Sequence, residues 1–331
     1  MAQGQQPDAE SIPTGEEEDD SLVPLPTREG WWTTFVLYQG CWLTCPAVTS
    51  VLLVRDHFAP RHDDVLLATY PKCGTTWLKA LAFAVANRSH HPVGGGGGGG
   101  VHPLLTSHPQ DLVPFIELPF RHLHPLTALD ALPSRRLLST HLPHHLLPPR
   151  VDELGCRIVY LCREPKDVVI STWHYMNKVT DDFSLELDEA FDLFVDGVSI
   201  YGPIWNHCLG YWNKHVADPD TVLFLKYDDM MADPIKHVKK LAEFLRVPFT
   251  DEEVGASVVE EVVRLCSFEK LSRLPVNSSG VADRTGGRPM ENSSYFRKGK
   301  VGDWKNYLTE EMAKKLDAII EEKLKGSGLT F

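Results

Sequence analysis

Residues able to bind and move an anionic group recur along the chain. The run Tyr70-Pro-Lys-Cys-Gly-Thr-Thr-Trp77 combines a turn-forming Gly74 with the hydroxyls of Thr75 and Thr76. Where such a turn opens a helix, unpaired N–H groups and hydroxyls form an anion cradle, and Lys72 adds a point charge. This is not a Walker A loop, because the lysine precedes the glycine; an ordinary strand-to-helix turn with a solvent lysine is the bland alternative. His141 titrates near neutral pH as a type and suits proton abstraction from a hydroxyl, although a loop histidine without a role fits equally well. Arg163 with Ser171 offers a guanidinium fork and a hydroxyl for a terminal phosphate; a surface ion pair with Glu164 or Asp167 is the competing reading. Tyr227 carries a ring and hydroxyl that could meet a base or a phosphate. Arg297-Lys-Gly-Lys-Val-Gly302 reads as a phosphate loop or as a solvated basic turn. His144 and His145 beside His141 raise the question of zinc. No cysteine or acid stands at metal-site spacing from them, and Pro143, Pro148 and Pro149 mark a loop, so no metal is expected. Each cluster is ambiguous singly, yet all suit anions.

The elements that must position them alternate. Val65–Thr69, Arg136–Thr140, Arg157–Cys162 and Thr221–Tyr227 read as short apolar strands. Thr75–Ala86 reads as a helix, Pro165 opens another at a permitted first-turn position, and Pro234–Leu245 forms a third. Near the end, Thr309 looks like a cap with Glu310 and Glu311 in the first turn, followed by Met312, Leu316, Ile319 and Ile320 at helical spacing and a stop at Gly326. Apolar strands separated by helices predict a mainly parallel sheet covered on both faces. Ligands of such sheets bind past the carboxyl ends of the strands. Functional residues should therefore follow positions 69, 140, 162 and 227.

The 331 residues suffice for one large domain or two small ones. Half of the formal charge of −12 lies in residues 1–28, where seven acids face Arg28 alone, so these residues read as a disordered acidic tail before a domain at 29–331. An acidic body is a poor nucleic-acid coat, and no nucleic-acid partner is expected. Seven irregularly spaced cysteines argue against a disulfide framework and for a reducing compartment. The acidic N-terminus resembles neither a secretory signal nor an Arg-rich transit peptide. Trp31–Val54 is 24 residues without a charge, but Gln39, Pro46 and several Thr and Ser residues within it favour a buried core segment over a membrane span. The seven glycines at 94–100 read as a loop insertion spanning 92–102, and 276–294, rich in Ser, Asn and Gly, as a long mobile loop.

Taken together, Tyr70–Trp77, Arg163 with Ser171, and Arg297-Lys-Gly…Gly302-Asp-Trp-Lys305 resemble a cytosolic sulfotransferase. With Tyr38-Gln-Gly40 and Ser139-Thr-His-Leu-Pro143 the pattern looks most like the plant soluble branch, over about residues 30–331. The resemblance implies a single α/β domain with a central mainly parallel sheet flanked by helices, a P-loop-nucleotide-hydrolase-like sulfotransferase fold. It implies 3′-phosphoadenylyl sulfate (PAPS) as donor, without a metal, and a small-molecule hydroxyl acceptor. By motif position Lys72, Cys73, Gly74, Thr75, Thr76 and Trp77 would hold the 5′-phosphosulfate, with the backbone of Cys73 mattering more than its thiol. Arg163, Ser171, Arg297, Lys298 and Gly299 would hold the 3′-phosphate. Trp77 and Tyr227 would flank the adenine, with Cys266 and Phe268 near it. His141 matches the catalytic base and Lys72 the group that stabilises the leaving phosphate. Tyr38, Phe115, Trp173 and Tyr175 are acceptor-pocket candidates that could equally be core. Phenolic, steroid-like and oxylipin acceptors all fit the resemblance, which also implies a cytoplasmic protein without a membrane. Ser139 stands where many animal members have a lysine near the base. The dimer motif of animal members is only partly present, with Glu310 in place of a valine, which leaves monomer and homodimer both open. Two other readings compete: an ATP- or GTP-using P-loop-like enzyme, and a non-catalytic protein that binds a small hydrophobic hormone.

Overall fold

The computed structural model describes residues 25–93, 100–117, 126–180, 184–284 and 289–331. Strands β1 (Thr27–Glu29), β2 (Thr34–Tyr38) and β3 (Cys41–Leu43) form a small antiparallel sheet, and helix α1 (Cys45–His57) follows. The charge-free stretch therefore folds as two strands and a helix. Trp31, Phe35, Leu43, Val51 and Val54 lie in the core, and among the described residues no helix is long and apolar enough to cross a membrane. The strand β1 shortens the expected tail. Thr27 and Arg28 pair with β2 because an exposed edge tolerates polar side chains, and Arg28 reaches Asp196 at 2.6 Å. Residues 1–24, like 94–99 of the glycine run, lie outside the described residues.

The principal sheet contains β4 (Val65–Thr69), β5 (Leu137–Thr140), β6 (Arg157–Cys162) and β7 (Val222–Lys226), all parallel, in the order β5-β4-β6-β7. Alternate side chains divide between its two faces, as the period of two in a strand requires. Leu66, Ala68, Ile158, Tyr160, Val222 and Phe224 enter one core with α1, α3 (Pro165–Val179), α4 (Leu187–Val195), α5 (Ile204–Ala217) and the C-terminal helix. Val65, Leu67, Val159, Leu161, Leu223 and Leu225 enter the other with α2 (Thr75–Ala86), α6 (Pro234–Phe244) and α7 (Val258–Leu265). Burial on both faces explains why these strands read as continuous apolar runs. Successive strands leave β4 in opposite directions, so a crevice opens at its carboxyl end.

Several boundaries shift for physical reasons. Tyr227 begins the short helix Tyr227–Ala232 instead of ending β7. The C-terminal helix α8 (Glu310–Leu324) is capped by Thr309 Oγ1, which accepts from Met312 N at 3.2 Å, and buries Ala313, Leu316, Ile320 and Leu324, with Met312 and Ile319 at the margin of the stripe. The expected loop at 276–294 is more ordered than its composition suggests. It contains the end of a helix (Pro275–Ser278), a two-stranded ladder pairing Val281 and Ala282 with Glu291 and Met290, and a turn at Asn292–Tyr295; 285–288 lie outside the described residues. The Asn292 amide donates to the carbonyls of Val276 and Ser279, both at 3.0 Å, so polar side chains replace missing backbone partners.

At the amino ends of the strands, Arg136 closes a buried fork on Asp64. Its Nε and Nη2 donate to the two carboxylate oxygens at 2.8 and 2.5 Å, and both side chains are fully buried. Removing the acid leaves the buried guanidinium with only the half-exposed Asp130 carboxylate at 3.3 Å and the carbonyls of Ala59 and Leu129. Asp64→Ala should therefore cost about 3–5 kcal/mol, measured by denaturant unfolding; a loss below about 1 kcal/mol would mean that Arg136 finds other partners.

Candidate active site

The chain leaves β4 through a strained turn. Lys72, a non-glycine residue, has φ 67°, in the left-handed region, and Gly74 follows at φ 107°. A Cβ on Gly74 would meet the Tyr227 ring at 2.8 Å, so only glycine allows the turn to lie against that residue. Helix α2 starts directly after it. Thr75 Oγ1 lies 2.7 Å from Thr69 Oγ1, and Thr76 Oγ1 accepts from Gln110 Nε2 at 3.1 Å. Lys72 Nζ stands 3.7 Å over the Tyr175 ring.

These groups line a cavity of about 480 Å³ at the carboxyl end of the sheet. Of the residues anticipated from sequence, Lys72, Gly74, Thr75, Thr76, Trp77, Phe115, His141, Arg163, Ser171, Tyr175, Tyr227, Cys266, Phe268, Arg297, Lys298 and Gly299 all face it. Three do not. Cys73 is fully buried beneath the turn, its N–H donates to Tyr70 O at 3.2 Å, and burial pushes its thiol pKa well up. Trp173 is half-buried and packs against the core, where its Nε1 donates to Leu185 O at 2.7 Å and its ring contacts Tyr307. Tyr38 ends β2 and its hydroxyl accepts from Gln39 at 3.2 Å. The cavity instead adds Trp32, Glu117, Tyr201, Arg284 and Tyr295, brought in by tertiary folding without a local sequence signal.

The basic loop is held from behind. Asp167, on the first turn of α3, accepts from Gly302 N at 2.8 Å, Trp304 N at 3.0 Å and Arg163 Nη2 at 3.2 Å. Asp303 pairs with Arg297 and, at 2.8 Å, with Lys298. Burial works to raise the Asp303 pKa, but the hydrogen bonds from Lys298 and Arg297 outweigh it and hold the carboxyl below its usual range. Gly299, at φ 61°, abuts Phe268 so closely that a Cβ would meet the ring at 2.4 Å. Arg163 Nη2 also donates to Lys300 O at 2.8 Å, its guanidinium lies 4.7 Å from the Tyr227 ring centre, and its Nε is buried without a partner. Burial, with Arg297 and Arg163 nearby, pushes the Lys72 pKa down to about 7. These cations thus share one field across the cavity.

His141 follows β5 and is fixed on several sides. Its Nδ1 lies 2.8 Å from Thr69 O, a pure acceptor, so the proton sits on Nδ1 and the lone pair on Nε2. Its backbone N–H donates to Glu117 Oε1 at 2.6 Å, and its carbonyl accepts from His207 Nε2 at 2.9 Å. The ring packs against Phe115 and Tyr201 at centroid distances of 4.7 and 5.6 Å. Burial pushes its pKa down to about 3, and Lys79, His207 and Lys72 add to the effect, so the imidazole is neutral at physiological pH. His144 and His145 turn elsewhere, to Asp152 at 3.3 Å and to Gln39 O at 3.0 Å.

A parallel sheet that ends in a helix-terminus cradle, buried cations and a neutral histidine defines an α/β group-transfer enzyme with an anion-binding crevice. The sulfotransferase domain family matches residues 62–328. The chain belongs to that family and is a sulfotransferase with its P-loop-like fold. It is 45% identical over 313 residues to cytosolic sulfotransferase 17 of Arabidopsis thaliana, covering 93% of this chain and 88% of that protein, which places it with the plant branch. Among solved structures it is similar to a putative steroid sulphotransferase of Arabidopsis thaliana, with a TM-score of 0.72 and 35% identity over 97% of this chain and 100% of that one. It is also similar to a mouse sulfotransferase complexed with PAP, with a TM-score of 0.67 and 29% identity over 88% and 95% of the two chains.

The Asp167 clamp gives a direct expectation. Asp167→Asn loses charge-assisted acceptance from the loop, worth roughly 1–3 kcal/mol, or about tenfold or more in local opening. Trypsin should then cut after Arg297, Lys298 or Lys300 about tenfold faster than in the wild type; an unchanged cleavage rate would show that the loop is held by other contacts.

Proposed function

We propose that the cavity binds PAPS and passes its sulfuryl group to a hydroxyl of a small, largely apolar acceptor of phenolic, steroid-like or oxylipin type. The observation that carries this reading is the convergence of Lys72, Arg163 and Arg297 with neutral His141 on a single cavity. The residues fit such a donor: the buried Nε of Arg163 lacks a partner, and Lys72, Thr75, Thr76, Arg297 and Lys298 line the same cavity. The PAP complex of the similar mouse enzyme supports the same choice. Bound PAPS would supply an activated sulfuryl group, leaving PAP as product.

Lys72, Gly74, Thr75, Thr76 and Trp77 would receive the 5′-phosphosulfate at the start of α2. Arg163, Ser171, Arg297, Lys298 and Gly299 would receive the 3′-phosphate. Trp77 and Tyr227, which pack edge to face with ring centres 5.3 Å apart, would lie beside the base together with Phe268 and Cys266. His141 Nε2 would take the acceptor's proton, while the Lys72 ammonium faces the negative charge growing on the leaving phosphate. The fixed Nδ1 bond holds the base in one tautomer. Phe115, Tyr201, Ile200, Met290 and Trp32 give the acceptor an apolar surround. Positioning and electrostatics supply the acceleration, so the chain's own donors carry the neutralisation. The cytosolic name of the plant relative supports a cytoplasmic setting, and the protein acts as a monomer or homodimer.

The test is transfer of labelled sulfate from PAPS across phenols, sterols and hydroxylated oxylipins, with PAP and ATP–Mg compared as stabilising ligands. PAP should raise Tm and ATP–Mg should not. His141→Ala should lower turnover about 10²–10⁴-fold while binding PAP as tightly as before. Near-normal turnover in that variant removes His141 from the chemistry, and absence of a PAP effect removes the donor assignment.

A second expectation concerns pH. In the free protein Lys72 is largely neutral above its pKa of about 7. A bound polyanion favours the ammonium, so PAP binding should take up a proton in that range. Affinity should then fall as pH rises from 7 to 9, by at most about tenfold per pH unit. Calorimetry in buffers of different ionisation heat reads the uptake directly. Lys72→Met should abolish it, and a pH-independent affinity in the wild type would show that Lys72 does not sense the ligand.

A further inference from the structure

One turn beyond the cradle, on the buried side of α2, Lys79 is fully shielded from solvent. It does not itself line the cavity. Its Nζ donates to Gln110 Oε1 at 2.5 Å and lies 3.5 Å from the centre of the Phe115 ring. Both neighbours are electron-rich, an amide oxygen and an aromatic face, so Nζ presents hydrogens to each. The amide of Gln110 is thereby fixed in one orientation, with its oxygen toward Lys79 and its nitrogen toward Thr76. The nitrogen donates to Thr76 Oγ1 at 3.1 Å. A hydroxyl that accepts on one side keeps its own hydrogen for another partner, and Thr76 lines the cavity.

We propose that Lys79 is a positioning residue: through Gln110 it polarises Thr76 so that the threonine O–H points into the cavity as a donor to the 5′-phosphate end of the nucleotide. The proposal rests on the PAPS reading of the site. Without Lys79, Gln110 is free to turn its oxygen to Thr76, which would then spend its hydrogen on the amide and face the phosphate with a lone pair. The lysine acts at a distance of two side chains, with no direct contact to the ligand.

The experiment is a double-mutant cycle read by calorimetric titration with PAP. Lys79→Met and Thr76→Val should each weaken PAP by about tenfold, the loss expected for one hydrogen bond to a charged group. In the double variant the affinity should match Thr76→Val alone within about twofold, because the donor is already gone. Gln110→Glu keeps a partner for Lys79 yet has no N–H for Thr76, and should weaken PAP as much as Lys79→Met does. In assays the KM for the sulfuryl donor should rise in Lys79→Met while the KM for the acceptor stays put. If Lys79→Met fails to fold, the Gln110→Glu titration decides alone. Losses that multiply to about a hundredfold in the double variant overturn the relay, as does wild-type affinity in Lys79→Met or, should that variant not fold, in Gln110→Glu. A wild type that ignores PAP defeats the donor reading first, and the relay with it.

Discussion

Lys72, Arg163 and Arg297 bring positive charge into one partly enclosed cavity; burial first, and repulsion from Arg297 and Arg163 second, lower the proton affinity of Lys72. The folded chain meets this repulsion from behind the cavity. Asp167 fixes Arg163 and the loop backbone, and Asp303 fixes Arg297 and Lys298. These acids orient the cations without filling the cavity. What stays uncompensated includes the buried Nε of Arg163. A polyanion relieves the repulsion, so stored electrostatic cost becomes binding energy.

The same constraint dictates where the backbone can be unusual. The Lys72–Gly74 turn must fold tightly enough to aim N–H groups and a lysine at one point, and Tyr227 from the end of β7 closes the space a side chain at position 74 would need. Gly299 plays the matching part against Phe268. Parallel strands make this possible because their carboxyl ends all emerge on one side of the sheet. Burial of both sheet faces then supplies the rigidity that holds a left-handed lysine in place.

Much of this was readable from sequence because strand ends are. Fully apolar runs located β4, β6 and β7 within a residue or so, and the residues just after them proved to line the cavity. The limits were equally physical. Trp173 sits two residues beyond Ser171 on the same helix, and a rotation of about 200° carries it from the cavity side to pack against the core. Cys73 occupies the inside of its turn, and Tyr38 the far end of a separate sheet. Gln110, Glu117 and Lys79 carry no local pattern; they matter because of what the fold places beside them. The 276–294 segment misled because Ser and Asn read as loop by composition, whereas here Asn292 and Asn277 use their amides to hold the backbone.

His141 shows how the two ends of the site depend on each other. Ser139, buried with its hydroxyl on Pro114 O at 3.4 Å, brings no cation to His141, whose proton affinity is lowered chiefly by burial and further by Lys79, His207 and Lys72. An anion bound in the cavity would place negative charge near the imidazole and raise the affinity of Nε2 for a proton. On the proposed function, removal of the acceptor's proton by His141 would then depend on occupancy of the nucleotide site. Such a coupling would rest on Lys72 and His141 lining the same cavity, and it would require no movement of the backbone.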